Sequence, residues 1–138
     1  MAPRRFIARP LKESCQLTKE RLDLGKFGEE LAFRKIKRLG YKKIIRNFRC
    51  PLGEVDIIAR DGDTLVFMEI KTRKGRSIDY AKEAVNARKK RQISKVALAY
   101  MKSTDCSDAR ARFDVVAISL GRGKPEIEVI KNAFELAY

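Results

Sequence analysis

The sequence predicts one α/β domain, in which a long helix is followed by three strands, a second long helix and two further strands. Two observations favour this class. Apolar residues recur at helical spacing in two long segments, whereas five shorter segments are rich in apolar and β-branched residues and end at turn-forming residues. A length of 138 residues and a composition that is 44% hydrophobic and 36% charged are typical of one soluble globular domain with its own core.

The first helix is predicted from Thr18 to Leu39. Thr18 belongs to the residue types that cap helices, and Gly40 ends the pattern. The apolar residues at helical spacing are Leu24, Phe27, Leu31, Ala32, Ile36 and Leu39. Residues 1–17 show no such spacing and are basic, so we expect a flexible N-terminal arm there and a single domain over 18–138.

Three strands follow as a meander. The first is predicted over 43–50, and a turn at 51–53 leads into strands over 53–59 and 65–71. The Asp-Gly sequence between the last two strands is typical of a hairpin turn, which would align them side by side.

The second half of the chain contributes one helix and two strands. A polar segment at 72–77 predicts a mobile loop, after which apolar residues at helical spacing predict a helix over 79–101. The segment 113–119 is almost entirely apolar, which favours a strand that is buried on both faces. Alternation over 126–130 predicts the last strand.

The chain contains no histidine, which excludes every catalytic triad, cysteine–histidine pair and metal site that needs one. Catalysis therefore has to use carboxylates, lysine and a hard metal ion. Cys15, Cys50 and Cys106 are odd in number and far apart, which indicates neither a disulfide framework nor a zinc site. No apolar segment has the length of a bilayer crossing or the form of a signal peptide, so we expect a cytoplasmic protein without a membrane partner.

Ionisable residues stand at the ends of the two hairpin strands, on a background that otherwise indicates burial. Side chains alternate along a strand, so Glu69 and Lys71 share one face. If the hairpin aligns the strands, Asp56 joins them, and two carboxylates and an ammonium group converge at one point. Carboxylate oxygens are the ligands that Mg²⁺ prefers, which makes this point a candidate metal site.

Structural roles could also account for these residues. The solvated face of an edge strand explains Glu54 well but Asp56 less well, because Ile58 shares that face and implies burial. Glu69 and Lys71 could form a salt bridge at a strand end, which contributes little to stability when it is exposed. The Glu-x-Lys spacing gains weight from the apolar residues before it and from Asp56 one hairpin earlier.

The first helix offers a third carboxylate. At about 100° per residue, Glu29 borders the apolar face beside Ile36, whereas Glu30 points to water. Gly25 and Gly28 weaken a helix interior, which suggests that another backbone or a ligand approaches there. An ordinary amphipathic helix is an equal alternative for this segment.

The net charge of +14 indicates a polyanionic partner. Between Lys71 and Arg91, nine basic residues stand against two acidic ones, so half of the net charge falls there. A solvated helix surface is the usual explanation of such a segment, but this one begins at the residue that closes the candidate metal site. Structural roles are favoured over site roles for a further group: Tyr41, Phe48, Tyr80, Gln92, Arg112 and Asp114.

Four segments together resemble the YraN-type family of small bacterial proteins. They are Gly25-x-x-Gly28-Glu29, Asn47-Phe48-Arg49, the strand from Gly53 to Ala59, and the segment from Phe67 to Arg73. That family is similar to the PD-(D/E)xK nucleases and, in size and motif order, to archaeal Holliday junction resolvases. The resemblance covers the chain from Leu24 to its C-terminus, and the ordered combination is more specific than any one segment.

The resemblance implies a restriction-endonuclease-like fold, a mixed central sheet flanked by helices. By position, it assigns the helix acid to Glu29, the motif aspartate to Asp56 and the final pair to Glu69 and Lys71. The side chains of Asp56 and Glu69 and the backbone carbonyl of Ile70 would then hold Mg²⁺ or Mn²⁺, and Glu29 would bind the ion through water or help to hold a second one. Val55 stands where many such nucleases have proline, which changes no ligand.

The function that the resemblance implies is hydrolysis of phosphodiester bonds in DNA, including branched or damaged DNA, by a metal-dependent endonuclease-like enzyme. Lys71 would orient the attacking water, and a basic set would follow the phosphate backbone. That set is Arg73, Lys74, Arg76, Arg88, Lys89 and Arg91. A binding module for structured DNA or RNA that keeps the fold without turnover is the alternative, and contact with an acidic protein is a third option. Junction resolvases act as symmetric dimers, which leaves a homodimer open here.

Overall fold

The computed structural model of the protein describes residues 11–75, 77–82 and 85–136, which form a five-stranded mixed sheet with flanking helices. The elements in chain order are α1 (Leu11–Arg38), β1 (Lys42–Cys50), β2 (Gly53–Asp61), β3 (Thr64–Lys74), α2 (Ile78–Lys82), α3 (Ala87–Ser103), β4 (Arg110–Leu120) and β5 (Glu126–Phe134). The predicted α/β class and mixed sheet are confirmed, and the architecture is consistent with a restriction-endonuclease-like fold.

The strands lie in the sheet in chain order, from β1 to β5. β3 and β4 are parallel, whereas the other three neighbouring pairs are antiparallel. A parallel pair needs a long crossover connection, which α2 and α3 provide. β2 and β3 are joined by a two-residue hairpin in which Gly62 has a φ of 60°, a value that glycine adopts without strain.

Two hydrophobic clusters cover the two faces of the sheet. On the α3 face, Ile93 and Val96 pack with Phe67 and other strand residues. On the α1 face, Ala32 and Ile36 pack with further residues from the same strands. β4 contributes Val115 to the first cluster and Val116 to the second, so this strand is buried on both faces, as its composition predicted.

α1 differs from its predicted form at its start and in its buried face. It begins at Leu11 instead of Thr18, so part of the predicted arm is helical, while residues 1–10 of that arm lie outside the described residues. Phe27 and Leu39 were expected in the core, but each is 51% exposed. Gly28 takes the inward position, because a glycine lets the helix lie directly against the side chain of Thr72 on β3.

The predicted second helix is in fact two helices. α2 ends at Lys82, and α3 begins after Asn86, whose side chain accepts a hydrogen bond from the Lys89 backbone N–H at 2.9 Å. This cap satisfies a backbone group that the start of a helix leaves without a partner, and it therefore fixes where α3 begins.

The predicted loop at 72–77 is also shorter than expected. β3 continues to Lys74, because its parallel pairing with β4 extends from Thr72 opposite Ile118 to Lys74 opposite Leu120. Arg76, which was predicted to contact nucleic acid, lies outside the described residues.

In the part of the chain that the structure describes, none of the helices combines the length and the apolar character needed to pass through a bilayer.

Candidate active site

The site begins where the ladder between β2 and β3 is interrupted. Their pairing runs from Asp61 opposite Thr64 to Ile57 opposite Met68. At the next position, Asp56 Oδ2 accepts a hydrogen bond from the Ile70 backbone N–H at 2.8 Å. A side-chain carboxylate thus replaces a backbone acceptor. Because the N–H and C=O of one strand residue point to the same side, the carbonyl of Ile70 also faces Asp56.

Glu69 lies beside this interruption, with only 5% of its surface exposed. Two ammonium groups approach its two carboxylate oxygens. Lys71 Nζ lies 3.5 Å from Oε1, and Lys89 Nζ, which comes from the first turn of α3, lies 3.8 Å from Oε2. Glu69 therefore links the strand residues of the site to α3.

The electrostatics of Glu69 are unusual for a carboxylate. Burial, followed by repulsion from Asp56, raises the pKa of Glu69 to about 7, although Lys89 and Lys71 act in the opposite direction. Among the described residues, no hydrogen-bond donor reaches Glu69 Oε2, which is buried. A buried acceptor without a partner is costly, so this oxygen marks a place where a ligand would fit.

Glu29 reaches the same place from α1. A cleft of about 500 Å³ opens between α1 and the end of β3. Its lining residues are Arg21, Leu24, Gly25, Glu29, Asp56, Glu69, Ile70, Lys71, Thr72, Arg73 and Lys74. The structure therefore brings Glu29, Asp56, Glu69 and Lys71 together at one cleft.

Glu30, the neighbouring acid, is engaged elsewhere. Its carboxylate lies 3.1 Å from Arg46 Nη2 on β1 and 3.6 Å from Arg34 Nε one helical turn later. Glu29 lines the cleft, whereas Glu30, which was expected to point to water, is instead partly buried in an ion pair with β1. The helical spacing also misplaced the centre of the buried face.

The oxygen donors of the site suit a divalent ion, although only two of them are carboxylate groups. Within the described ranges, no three or more Asp, Glu, Cys or His side chains are close enough to share a metal ion. Asp56 and Glu69 form a pair, and the Ile70 carbonyl adds a third hard oxygen. Mg²⁺ commonly binds through one or two carboxylates and completes its coordination with water and substrate phosphates, so the pair and the unsatisfied Oε2 suit it.

The basic residues predicted to contact nucleic acid occupy different positions. Arg73 and Lys74 line the cleft, and the Arg73 guanidinium donates a hydrogen bond to the Thr72 carbonyl at 3.0 Å. Arg88 and Arg91 are exposed on α3. Lys89 differs from both, because its ammonium group is directed at Glu69.

Arg21 and Leu24 also line the cleft and were not predicted as site residues, and Gly25, where a ligand or another backbone was expected to approach, lines it too. Their spacing along the helix relative to Glu29 could have indicated this position. Arg21 and Gly25 precede Glu29 by eight and four residues, so all three lie on one face of α1.

Arg112 and Asp114 are not among the residues that line this cleft. Asp114 is completely buried, and its carboxylate accepts hydrogen bonds from Arg112 Nε at 2.9 Å, Tyr41 Oη at 3.2 Å and the Asn132 backbone N–H at 2.9 Å. Arg112 Nη2 also donates to Asp61 at 2.9 Å and holds the pKa of that carboxyl below its ordinary value. This network is structural and joins strand ends, as expected, since Asp61 ends β2 and Arg112 lies near the start of β4, while Asp114 forms its buried centre.

Fold and site together define an α/β protein of restriction-endonuclease-like architecture, with a carboxylate pair and a lysine at an interrupted strand pair. A family model described as "Uncharacterised protein family UPF0102" matches residues 28–118. A UPF0102 protein of Geobacter sulfurreducens is 54% identical over 116 residues, which cover 83% of this chain and 91% of the relative. A UPF0102 protein of Syntrophus aciditrophicus is 47% identical over 122 residues, which cover 86% of this chain and 94% of the relative. The chain belongs to UPF0102, the YraN family, as its motifs predicted.

Proposed function

We propose that the protein is a Mg²⁺- or Mn²⁺-dependent nuclease that hydrolyses phosphodiester bonds in DNA, with branched and damaged DNA as candidate substrates. The observation that carries the proposal is the buried Glu69 Oε2, which has no hydrogen-bond donor among the described residues and belongs to a carboxylate beside Asp56. A protein gains nothing in stability from such a group, which favours a role in binding a cation.

The side chains of Asp56 and Glu69 and the carbonyl of Ile70 would hold the ion, and Glu29 would contribute through water from across the cleft. A bound Mg²⁺ or Mn²⁺ polarises a phosphodiester and lowers the pKa of a coordinated water. Lys71, at 3.5 Å from Glu69, would orient the attacking water and offset charge that builds up on the phosphate. Asp56 has a second task, since its hydrogen bond to Ile70 fixes the backbone of the site.

Nucleic acid would reach the cleft through its basic rim. Arg73 and Lys74 line the cleft, and Arg88 and Arg91 are exposed on the helix that supplies Lys89. Contacts of this kind go to phosphates and carry little sequence information, so recognition would depend on the shape of the nucleic acid.

The alternative is a module that binds structured DNA or RNA without turnover. The basic surface would serve either function. The carboxylate pair favours the enzyme, because carboxylates repel phosphates and a pure phosphate-binding site has no use for them.

A substrate panel tests the proposal. Single-stranded DNA, duplex, flap, four-way junction and RNA are incubated with Mn²⁺ and wild-type protein, Asp56→Asn or Lys71→Met. We expect cleavage of at least one DNA by the wild type and a loss of about a hundredfold or more in both variants, with DNA binding retained. The amide introduced by Asp56→Asn keeps an oxygen that can accept from the Ile70 N–H, so this variant changes charge more than structure.

Glu54→Gln is the matched control. Glu54 lies on β2, the strand that carries Asp56. It is exposed and forms an ion pair with Arg49 at 3.3 Å. Its variant should cleave like the wild type. Equal cleavage by all four proteins would indicate a contaminant, whereas DNA binding without cleavage of any substrate would favour the binding module.

A further inference from the structure

Lys89 reaches Glu69 from α3, whereas Lys71 reaches it along β3. The two ammonium groups lie near different oxygens, Lys71 at 3.5 Å from Oε1 and Lys89 at 3.8 Å from Oε2. A distance of 3.8 Å is within the range of an ion pair but too long for a hydrogen bond. Lys89 therefore contributes charge at Oε2 without satisfying that oxygen.

The surroundings make this charge effective. Only 6% of the Glu69 side chain and 22% of each lysine side chain are exposed. Water screens these groups far less than it screens a surface pair, so their interaction is strong at this separation. The backbone of Lys89 is also fixed, because its N–H donates to the Asn86 cap at 2.9 Å.

The four ionisable groups at the interrupted ladder balance one another. With Glu69 ionised, Asp56 and Glu69 supply two negative charges, and Lys71 and Lys89 supply two positive ones. A divalent cation on the carboxylate pair adds two positive charges to this balanced set. A phosphodiester, which carries one negative charge, offsets part of that addition.

We propose that Lys89 is a positioning residue that competes with the divalent cation for the Oε2 side of Glu69, so that the cation binds weakly until a nucleic-acid phosphate joins it. The inference rests on the proposed function and adds regulation to the same site. Cation and nucleic acid then bind with positive coupling, and linkage requires that each strengthens the binding of the other by the same factor. In this role Lys89 does not contact the phosphate backbone of the nucleic acid, as Arg88 and Arg91 are proposed to do, but acts through Glu69.

Calorimetric titration with Mn²⁺ tests the inference without any turnover. Lys89→Met should lower the Mn²⁺ dissociation constant about tenfold relative to wild type, because it removes a positive charge next to the binding oxygen. Lys89→Arg keeps the charge and should bind Mn²⁺ like the wild type. Lys95→Met is the matched control, since Lys95 is exposed on the same helix.

The same titrations are repeated with a DNA duplex whose linkages are phosphorothioates, which resist hydrolysis. The duplex should strengthen Mn²⁺ binding in the wild type, and it should do so less in Lys89→Met. If Lys89→Met does not fold, as judged by circular dichroism, Lys89→Gln makes the same comparison.

The titrations distinguish a failure of the proposed role of Lys89 from a failure of the proposed function. Mn²⁺ binding by Lys89→Met that matches Lys95→Met, or is weaker, overturns the role of Lys89 and leaves the proposed nuclease intact. Absence of saturable Mn²⁺ binding by the wild type, with and without the duplex, overturns the proposed function and the role of Lys89 together.

Discussion

Burial of the Glu69 carboxyl group makes its ionisation unfavourable in the folded protein. It is 5% exposed, and burial together with Asp56 raises its pKa to about 7 from an ordinary value of 4.5. The two lysines reduce this shift without abolishing it. Ionising Glu69 therefore opposes folding in the absence of a cation, which is typical of groups kept for function instead of stability.

Replacing Glu69 with glutamine should make the protein more stable at neutral pH when a chelator is present. Because the folded state binds its proton more tightly than the unfolded state, wild-type stability falls as pH rises between about 4.5 and 7. Glutamine lacks this titration, so the advantage of Glu69→Gln should widen by up to about 1.4 kcal/mol per pH unit in that window and stay constant above it. Urea unfolding from pH 4 to 9 measures it, and parallel curves for the two proteins would contradict it.

The side chains of the site differ in how far the sequence predicts them. Strand alternation places Glu69 and Lys71 on one face, and the hairpin brings Asp56 beside them, so local rules suffice. The direction of Lys89 does not follow from such rules, because it depends on where Asn86 starts α3. The Asp114 network was equally inaccessible, since it joins residues from β4, the α1–β1 turn and the β2–β3 hairpin.

At the scale of elements, the contact between α1 and β3 positions Glu29. A Cβ atom at Gly28 would overlap Thr72 Oγ1 and lie 3.1 Å from Thr72 Cβ, whereas a Cβ atom at Gly25 would meet nothing within 4 Å. The two glycines of the motif are thus physically different. Gly28 is needed for close packing, and Gly25 is a replaceable helix residue that faces the cleft.

Alanine at these two positions should have opposite effects on stability. Gly28→Ala should destabilise the protein by about 1–3 kcal/mol, because Thr72 is short, branched and unable to move aside. Gly25→Ala should stabilise it by about 0.5–1 kcal/mol through helix propensity alone. Thermal and urea unfolding measure both effects.

A double variant identifies the contact responsible. Adding Thr72→Ala to Gly28→Ala should cost less than the sum of the two single changes, since it removes the atom that clashes. Additive costs, or similar effects at Gly25 and Gly28, would show that the packing against Thr72 does not set the position of α1.

The boundaries of an element, like the direction of a side chain, can be predicted from the sequence where they depend on neighbouring residues, but not where they depend on distant ones. The β2–β3 hairpin is local, and the sequence predicted it. The alternation of β2 holds from Ile57 to Ala59 but not across Asp56, because Val55 packs in the same cluster as Ile58. The extension of β3 to Lys74 depends on pairing with β4, more than forty residues further along the chain. The exposed Phe27 and Leu39 show that apolar character alone does not locate the buried face of a helix whose contact point is a glycine.

At the scale of the whole molecule, the parallel pair gives the sheet two unlike ends. β3 and β4 both end near the cleft, where Arg73 and Lys74 lie, and α3 begins there with Arg88 and Arg91. The β2–β3 hairpin and the start of β4 occupy the opposite end, since Thr64 pairs with Arg110. The mixed topology, which the sequence indicated only through its family resemblance, brings Arg73 and Lys74 to the cleft and the first turn of α3 to Glu69.

Under the proposed function, this arrangement predicts which charges would control the affinity for nucleic acid. Each contact between a basic side chain and a phosphate releases bound counterions, so the logarithm of the association constant falls linearly with the logarithm of salt concentration. Arg88→Gln and Arg91→Gln should each reduce the magnitude of that slope by about one and weaken binding similarly for unrelated DNA sequences. Fluorescence anisotropy with a labelled duplex at several KCl concentrations measures both quantities.

Arg110→Gln removes the same charge from the far end of the sheet, so its slope should equal that of the wild type. If Arg110→Gln lowers the slope as much as the α3 variants do, the DNA responds to the total charge of the protein and not to a surface around the cleft.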